Sequence, residues 1–318
     1  MNPSRASSEA FEPGYVKLHA SGELATRAHL AREKISPCTL CPRNCSTKRS
    51  EGEPGFCRIG DQPTVSSYGT HLGEERVLVG RYGSGTVFFT GCNLGCEFCP
   101  NYEISHLRRG EVVSAAELAG MMLDLQGRGC HNINFVTPTH QVPQIIDAVI
   151  IAAERGLRIP LVYNCGGYES VEVLKLLDGV VDIYMPDIKY GDNAAGERYS
   201  QVPDYWDRCR EAVLEMHRQV GDMELRDARG ESGAAAAVAV RGLLVRHLVM
   251  PERQASTDNV MAFLADEVSK NTHVNVLAQY RPEFNAHRFS EIDRCITADE
   301  FQEALAAARS AGLYNLID

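Results

Sequence analysis

No run of eighteen or more apolar residues occurs in the 318-residue chain, so no segment is expected to span a membrane. The first residues, Met1 to Pro13, are polar and lack the apolar stretch of a secretory leader. Positive charge is short as well. With 32 Lys and Arg against 42 Asp and Glu the net charge is −10, which argues against wholesale binding to phosphate backbones; Arg108-Arg109 is only a small basic pair. No internal repeat is visible. These absences point to a cytoplasmic protein with no nucleic-acid and no membrane partner. Apolar residues at 44% leave ample material for a core at this length, in one large domain or one domain with an appendage. Cysteine is abundant: there are eleven, and seven fall into two tight groups. In a reducing compartment such groups point to metal ligation rather than to disulfides.

Along the chain, residues 1–35 show one short helical run, Gly22–Lys34. Residues 36–60 hold the first cysteine group amid Pro, Gly and charge, with too little apolar content to order themselves by a core. Residues 61–85 read as a connector with short strands, ending in a flexible run, Tyr82-Gly83-Ser84-Gly85. The expected division is therefore an extension over 1–85 and a second unit over 86–318. From Thr86 the pattern alternates. Buried strands are expected at Thr86–Thr90, Asn132–Thr137, Pro160–Asn164, Val181–Met185, Leu243–Met250 and Val274–Gln279. Helices are expected at Ala115–Gln126, Val142–Arg155, Val171–Leu177, Tyr205–Val220, Asp258–Ser269 and Ala298–Ala311. Ser114 and Thr297 sit at N-cap positions, with Glu117 and Glu300 three residues on. The stretch Gly221–Gly242, with its run Ala234–Ala237, reads as a hairpin or surface insertion. Six βα units in series imply a parallel α/β sheet curled into an open or closed barrel, with functional groups at the C-terminal strand ends.

Directly after the first of these strands comes Gly91-Cys92-Asn93-Leu94-Gly95-Cys96-Glu97-Phe98-Cys99-Pro100. Three thiolates at Cys-x3-Cys-x2-Cys spacing can hold three irons of a [4Fe–4S] cubane and leave the fourth open. An open position marks a reactive site rather than a structural one. Chelation of that iron by S-adenosylmethionine (SAM) would set its sulfonium beside the cluster for one-electron cleavage. The bland alternatives are a zinc knuckle with a borrowed ligand, or three buried thiols.

At these residues the chain resembles the radical SAM superfamily, and more narrowly the branch related to pyruvate formate-lyase activating enzymes. The resemblance runs from about Thr86 to the C-terminus. The N-terminal cysteine segment, Gly83-Ser84-Gly85-Thr86 and Asn101-Tyr102-Glu103-Ile104-Ser105 are similar to a less characterised subgroup. The resemblance implies a partial (β/α)6 barrel, a [4Fe–4S] cluster on Cys92, Cys96 and Cys99, and bound SAM. It also implies cofactor contacts at strand ends. Where the family carries Gly-Gly-Glu for the amino group of SAM, this chain reads Thr137-Pro138-Thr139-His140, so Thr137 and Thr139 are the candidates there. Asn164, before Cys165-Gly166-Gly167, is a polar candidate on the third strand. Asp187 and Lys189 match an Asp-x-Lys pattern that would orient the cofactor's polar end. Arg246 and His247 lie on a strand ending Met250-Pro251, with one of the two expected to face inward; Gln279, Tyr280 and Arg281 follow the sixth strand.

The set Cys38-x2-Cys41-x3-Cys45-x11-Cys57 offers four thiolates, suited to zinc, a single iron or a second Fe–S cluster. Such a site would order residues 36–60. Cys130, Cys165, Cys209 and Cys295 read as spectators. The functional expectation is radical SAM chemistry on a protein or peptide, foremost as an activase of a glycyl radical enzyme, with electrons from a low-potential donor such as flavodoxin or ferredoxin. The alternatives are a small-molecule or ribosomal-peptide substrate, and a non-catalytic Fe–S or zinc adaptor.

Overall fold

The structure, a computed structural model, describes residues 11–227 and 237–317. Among these residues ten strands form one sheet: β1 Thr64–His71, β2 Ser84–Phe89, β3 Glu111–Val112, β4 Ile133–Val136, β5 Leu161–Cys165, β6 Ile183–Ile188, β7 Glu224–Asp227, β8 Ala237–Leu248, β9 His273–Leu277 and β10 Leu316–Ile317. The order is β10-β9-β8-β6-β5-β4-β2-β1-β3, with β7 paired to β8. Strands β2, β4, β5, β6, β8, β9 and β10 run parallel. The first six are the six strands expected from sequence, and they make the partial barrel.

Each parallel strand is short, and its two faces differ. One face packs on the surrounding helices: Ile133, Phe135, Leu161 and Tyr163 join Leu118, Met122, Ile145 and Val149 in the main core. The other face points inward, where Val162, Ile183, Met185 and Leu244 make a second cluster around Leu78. Leu78 lies on the single-turn helix Arg76–Val79, whose carbonyl end is tied to the barrel by Asn132 Nδ2, 2.9 Å from the Leu78 oxygen. Both capping boxes form. Ser114 Oγ accepts from Glu117 N at 3.1 Å, and Thr297 Oγ1 from Glu300 N at 3.2 Å. The helix Tyr205–Val220 buries Cys209, Ala212, Val213 and Met216, the spacing of an amphipathic helix on a sheet.

Several expectations change in detail. Residues 61–85 are more than a connector, since β1 is eight residues long and pairs antiparallel with β2. Ser84 and Gly85 are buried in β2, so the run from Tyr82 does not stay flexible there; ladder pairing outweighs the glycine content. The strand expected at Leu243–Met250 is the second half of β8, whose first half pairs with β7 as a hairpin; the tip, including most of the alanine run, lies outside the described residues. The helix expected at Asp258–Ser269 is Thr257–Phe263 followed by a wider turn, Leu264–Val268. The helix Asn193–Ser200 was not anticipated; Asp192 Oδ1 caps it by accepting from Ala195 N at 2.8 Å.

Residues 36–60 form irregular turns with a single 3-10 turn at Arg49–Glu51. They have no core of their own: Cys38 and Leu40 join the main core, and polar contacts add further anchors. The buried Arg49 guanidinium donates to the carbonyls of His140 at 2.9 Å and Gly60 at 2.8 Å.

Candidate active site

Cys92, Cys96 and Cys99 occupy the loop that leaves the C-terminal end of β2, and all three line a cavity of about 600 Å³ in the barrel mouth. The loop is pinned from several sides. Phe98 is buried against Tyr280 and Tyr190, with ring centroids 5.5 and 6.2 Å away. Glu97 N donates to Tyr199 O at 2.8 Å, and the His106 ring contacts the Cys96 carbonyl at 3.0 Å. Backbone amides turn toward sulfur: Leu94 N lies 3.3 Å from Cys92 Sγ, and Asn101 N–H points at Cys99, which also meets Ser105 Oγ at 3.2 Å. Burial, reinforced by Cys96, pushes the Cys92 thiol up to about 12, so a metal must displace its proton to bind.

Across the cavity, register brings the charged residues together. Asp187 of β6 pairs with Arg246 of β8 in the ladder, and their side chains meet at 2.6 Å. Arg246 also donates to Asn164 Oδ1 at 2.7 Å and lies 3.4 Å from Glu74. Lys189 Nζ donates to Asp187 at 2.8 Å. Burial alone would raise the Asp187 carboxyl; Arg246 and Lys189 outweigh it and draw it down to about 2. Asp187 is thus a fixed anion between two fixed cations. Thr137 reaches the same cavity from the end of β4 with a φ of 58°, a conformation costly for a β-branched residue.

Two predicted residues are placed elsewhere. His247 turns away from the cavity and is buried between Ile188 O at 2.8 Å and Thr257 Oγ1 at 2.9 Å; alternation along β8 sends Arg246 inward and His247 outward. Thr139 is not at the cavity wall; its hydroxyl donates to Glu169 at 2.8 Å. His140 is also buried, with Nε2 2.7 Å from Thr90 O. Two acids went unnoticed in the sequence. Glu74 lines the cavity from the loop after β1, in a stretch read as a connector, and the adjacent pair Glu74-Glu75 was its only signal. Glu169 follows the strand-end glycines by two residues. It is buried, also accepts from Tyr163 Oη at 2.9 Å, and is pushed by burial up to about 7.

Cys38, Cys41, Cys45 and Cys57 gather beneath the cluster loop, close enough for Cys38 and Cys45 to bear on the charge of Cys57. Their sulfurs also face amides: Phe56 N lies 3.4 Å from Cys45 Sγ, while Arg43 N–H serves Cys41 and Ile59 N–H serves Cys57. Among the described residues no three ligating side chains meet at the spacing one metal ion needs. A cubane asks for less convergence, because each of three thiolates binds its own iron. The donor set at the central loop fits such a group: three thiols, amide support, and open cavity where a fourth ligand would stand.

Residues 86–224, from β2 through the cysteine loop to the start of β7, match the radical SAM superfamily. Over 312 residues the chain is 34% identical to a protein of Methanocaldococcus jannaschii known as uncharacterized protein MJ0674, an alignment covering 95% of this chain and 81% of that one. The chain belongs to the radical SAM superfamily. Membership in the radical SAM superfamily implies a [4Fe–4S] cluster and SAM as cofactors. Among solved structures, QueE from Escherichia coli aligns with a TM-score of 0.41 and 11% identity over 80% of this chain and 93% of that one. The cysteine loop after β2 and the Asp187–Arg246–Lys189 network all face the cavity at the C-terminal ends of the parallel strands.

Proposed function

We propose that Cys92, Cys96 and Cys99 hold the [4Fe–4S] cluster of this radical SAM enzyme, and that the polar groups across the cavity hold SAM against it. The observation that carries this is the meeting of three thiols and the Asp187–Arg246–Lys189 network in one cavity of about 600 Å³. Bound together, the two cofactors supply reductive cleavage of a C–S bond, giving methionine and a hydrogen-abstracting 5′-deoxyadenosyl radical. Thr137 and Asn164 offer polar atoms at the cavity wall. Asp187 stays ionised between its cations and orients the cationic end of the ligand, while Lys189 and Arg246 face its carboxylate. Phe98 and Tyr280 close the wall and keep water out.

The substrate is a protein or peptide, foremost a glycyl radical enzyme, with electrons delivered by flavodoxin or ferredoxin. What supports this is the likeness of Asp187-Ile188-Lys189 and of the end of β8 to the activating-enzyme branch. A second reading, a small molecule or ribosomal peptide, is favoured by Thr137-Pro138-Thr139-His140 standing where that branch carries Gly-Gly-Glu. Cys38, Cys41, Cys45 and Cys57 hold a second metal group; of zinc, a single iron and another Fe–S cluster, their spacing favours the cluster, which asks for less convergence than a single ion. The test is to follow substrate hydrogen. Deuterium passing from a labelled glycyl enzyme into 5′-deoxyadenosine, with a new organic radical signal, supports the activase reading. Cleavage of SAM with no such transfer from any glycyl candidate moves the assignment to the second reading.

A further inference from the structure

The N-terminal cysteine segment and the cluster loop touch at three consecutive points. Gly91 has a φ of 74°, and a Cβ there would lie 2.6 Å from the carbonyl oxygen of Cys57. Gly95 has a φ of 67°, and a Cβ there would lie 2.8 Å from the Phe56 ring. Both glycines are required twice over, by backbone conformation and by the closeness of the other segment. Between them, two of the three intervening carbonyls are held by one side chain. Arg43 Nε donates to Asn93 O at 2.7 Å and Nη2 to Leu94 O at 2.9 Å. The same guanidinium donates to Ser200 O at 2.8 Å and Gln201 O at 3.1 Å, the carbonyl end of the helix Asn193–Ser200. Its flat face lies 3.5 Å from the centre of the Phe56 ring.

Arg43, Phe56 and Cys57 belong to the turns of the cysteine quartet. Arg43 stands two residues after Cys41 and its own amide supports the Cys41 sulfur; Phe56 immediately precedes Cys57 and its amide supports Cys45. These turns have no core of their own, so whatever fixes the four sulfurs fixes the positions of Arg43 and Phe56.

We propose that the quartet is a clamp on the cluster loop: occupancy of its metal site sets the shape of Gly91–Gly95 through Arg43, Phe56 and the Cys57 carbonyl, and so controls whether Cys92, Cys96 and Cys99 present an open iron to SAM. Arg43 is a positioning residue in this scheme, since it touches no reacting atom. Lysine cannot replace it. A single ammonium does not span four carbonyls while stacking on a ring.

The proposal rests on metal binding by the quartet, and the test separates the two. The full chain with Cys92, Cys96 and Cys99 all changed to Ala, reconstituted anaerobically, should retain metal; if it holds none, the quartet reading fails and occupancy control fails with it. Arg43→Ala and Arg43→Lys are then compared with the parent for fold by circular dichroism, for quartet metal in the triplet-free background, for loss of triplet iron to a chelator, and for the electron paramagnetic resonance spectrum of the reduced cluster with and without SAM. The expected result is native fold and retained quartet metal, with iron lost from the triplet roughly tenfold faster and the SAM-induced spectral shift abolished, in both variants. Cys41→Ser, which strips the quartet, should reproduce that spectrum. Parental iron retention and a parental SAM-induced shift in Arg43→Ala, or in Cys41→Ser shown to lack quartet metal, would overturn the clamp. Should Cys41→Ser misfold, the Arg43 pair decides alone.

Discussion

Asp187 has its charge fixed by two partners, and removing either exposes the cost of a buried ion. Arg246 joins Asp187, Glu74 and Asn164, so Arg246→Ala leaves two carboxylates short of a cation in a site largely shielded from water, with Asp187 keeping only Lys189. The expected loss is about 3–5 kcal/mol, read as a fall in thermal midpoint. Combining it with Asp187→Asn should cost less than the sum of the single changes, by on the order of 1 kcal/mol or more, because the second change removes one of the stranded charges. Additive losses would mean that the two residues do not act as a pair. Glu169 gives a pH signature. Its carboxyl is raised by burial from 4.5 to about 7, so between those values the folded chain keeps a proton that the unfolded chain releases. Stability contributed by this group therefore falls as pH rises through that window and levels off above it, by about 3 kcal/mol in all. Glu169→Gln should flatten the decline in thermal midpoint between pH 4.5 and 7; an unchanged slope would place the titration elsewhere.

At the scale of elements, the helices that position the site are set by local chemistry. Ser114→Ala removes one capping box from an exposed helix start and should cost about 1 kcal/mol while leaving SAM affinity unchanged. A change in SAM affinity would tie that helix start to the site. Such signals are why so much of the barrel was legible. Ser114-x-x-Glu117 and Thr297-x-x-Glu300 announce helix starts, and short apolar runs announce the six parallel strands because both faces of such strands are covered. What stayed hidden depends on contacts distant in sequence. Nothing in Thr64–His71 says that it will add an antiparallel edge to β2, and so nothing announced Glu74 as a cavity residue. The choice between Arg246 and His247 hangs on which face of β8 turns inward, and adjacent residues always split between faces. Arg43 looked like one charge among many, because its four acceptors lie about 50 and 160 positions away along the chain.

For the molecule as a whole, metal bound at both cysteine groups would be part of the fold. Residues 36–60 are tied to the barrel by Arg43 and Arg49, and loss of a metal held there would free the turns that carry both. The fully reconstituted protein should therefore melt several degrees above the metal-free chain, with the added stability following metal occupancy; equal midpoints would deny the metals a structural role. The chemistry of the site turns on the triplet. The direct measurement is electron paramagnetic resonance of anaerobically reconstituted, reduced protein before and after SAM, with assay of 5′-deoxyadenosine. A [4Fe–4S] signal that shifts on adding SAM, accompanied by 5′-deoxyadenosine and lost in Cys96→Ala, is the predicted result. The absence of any signal that responds to SAM, or a SAM-responsive signal that survives removal of Cys96, would contradict it.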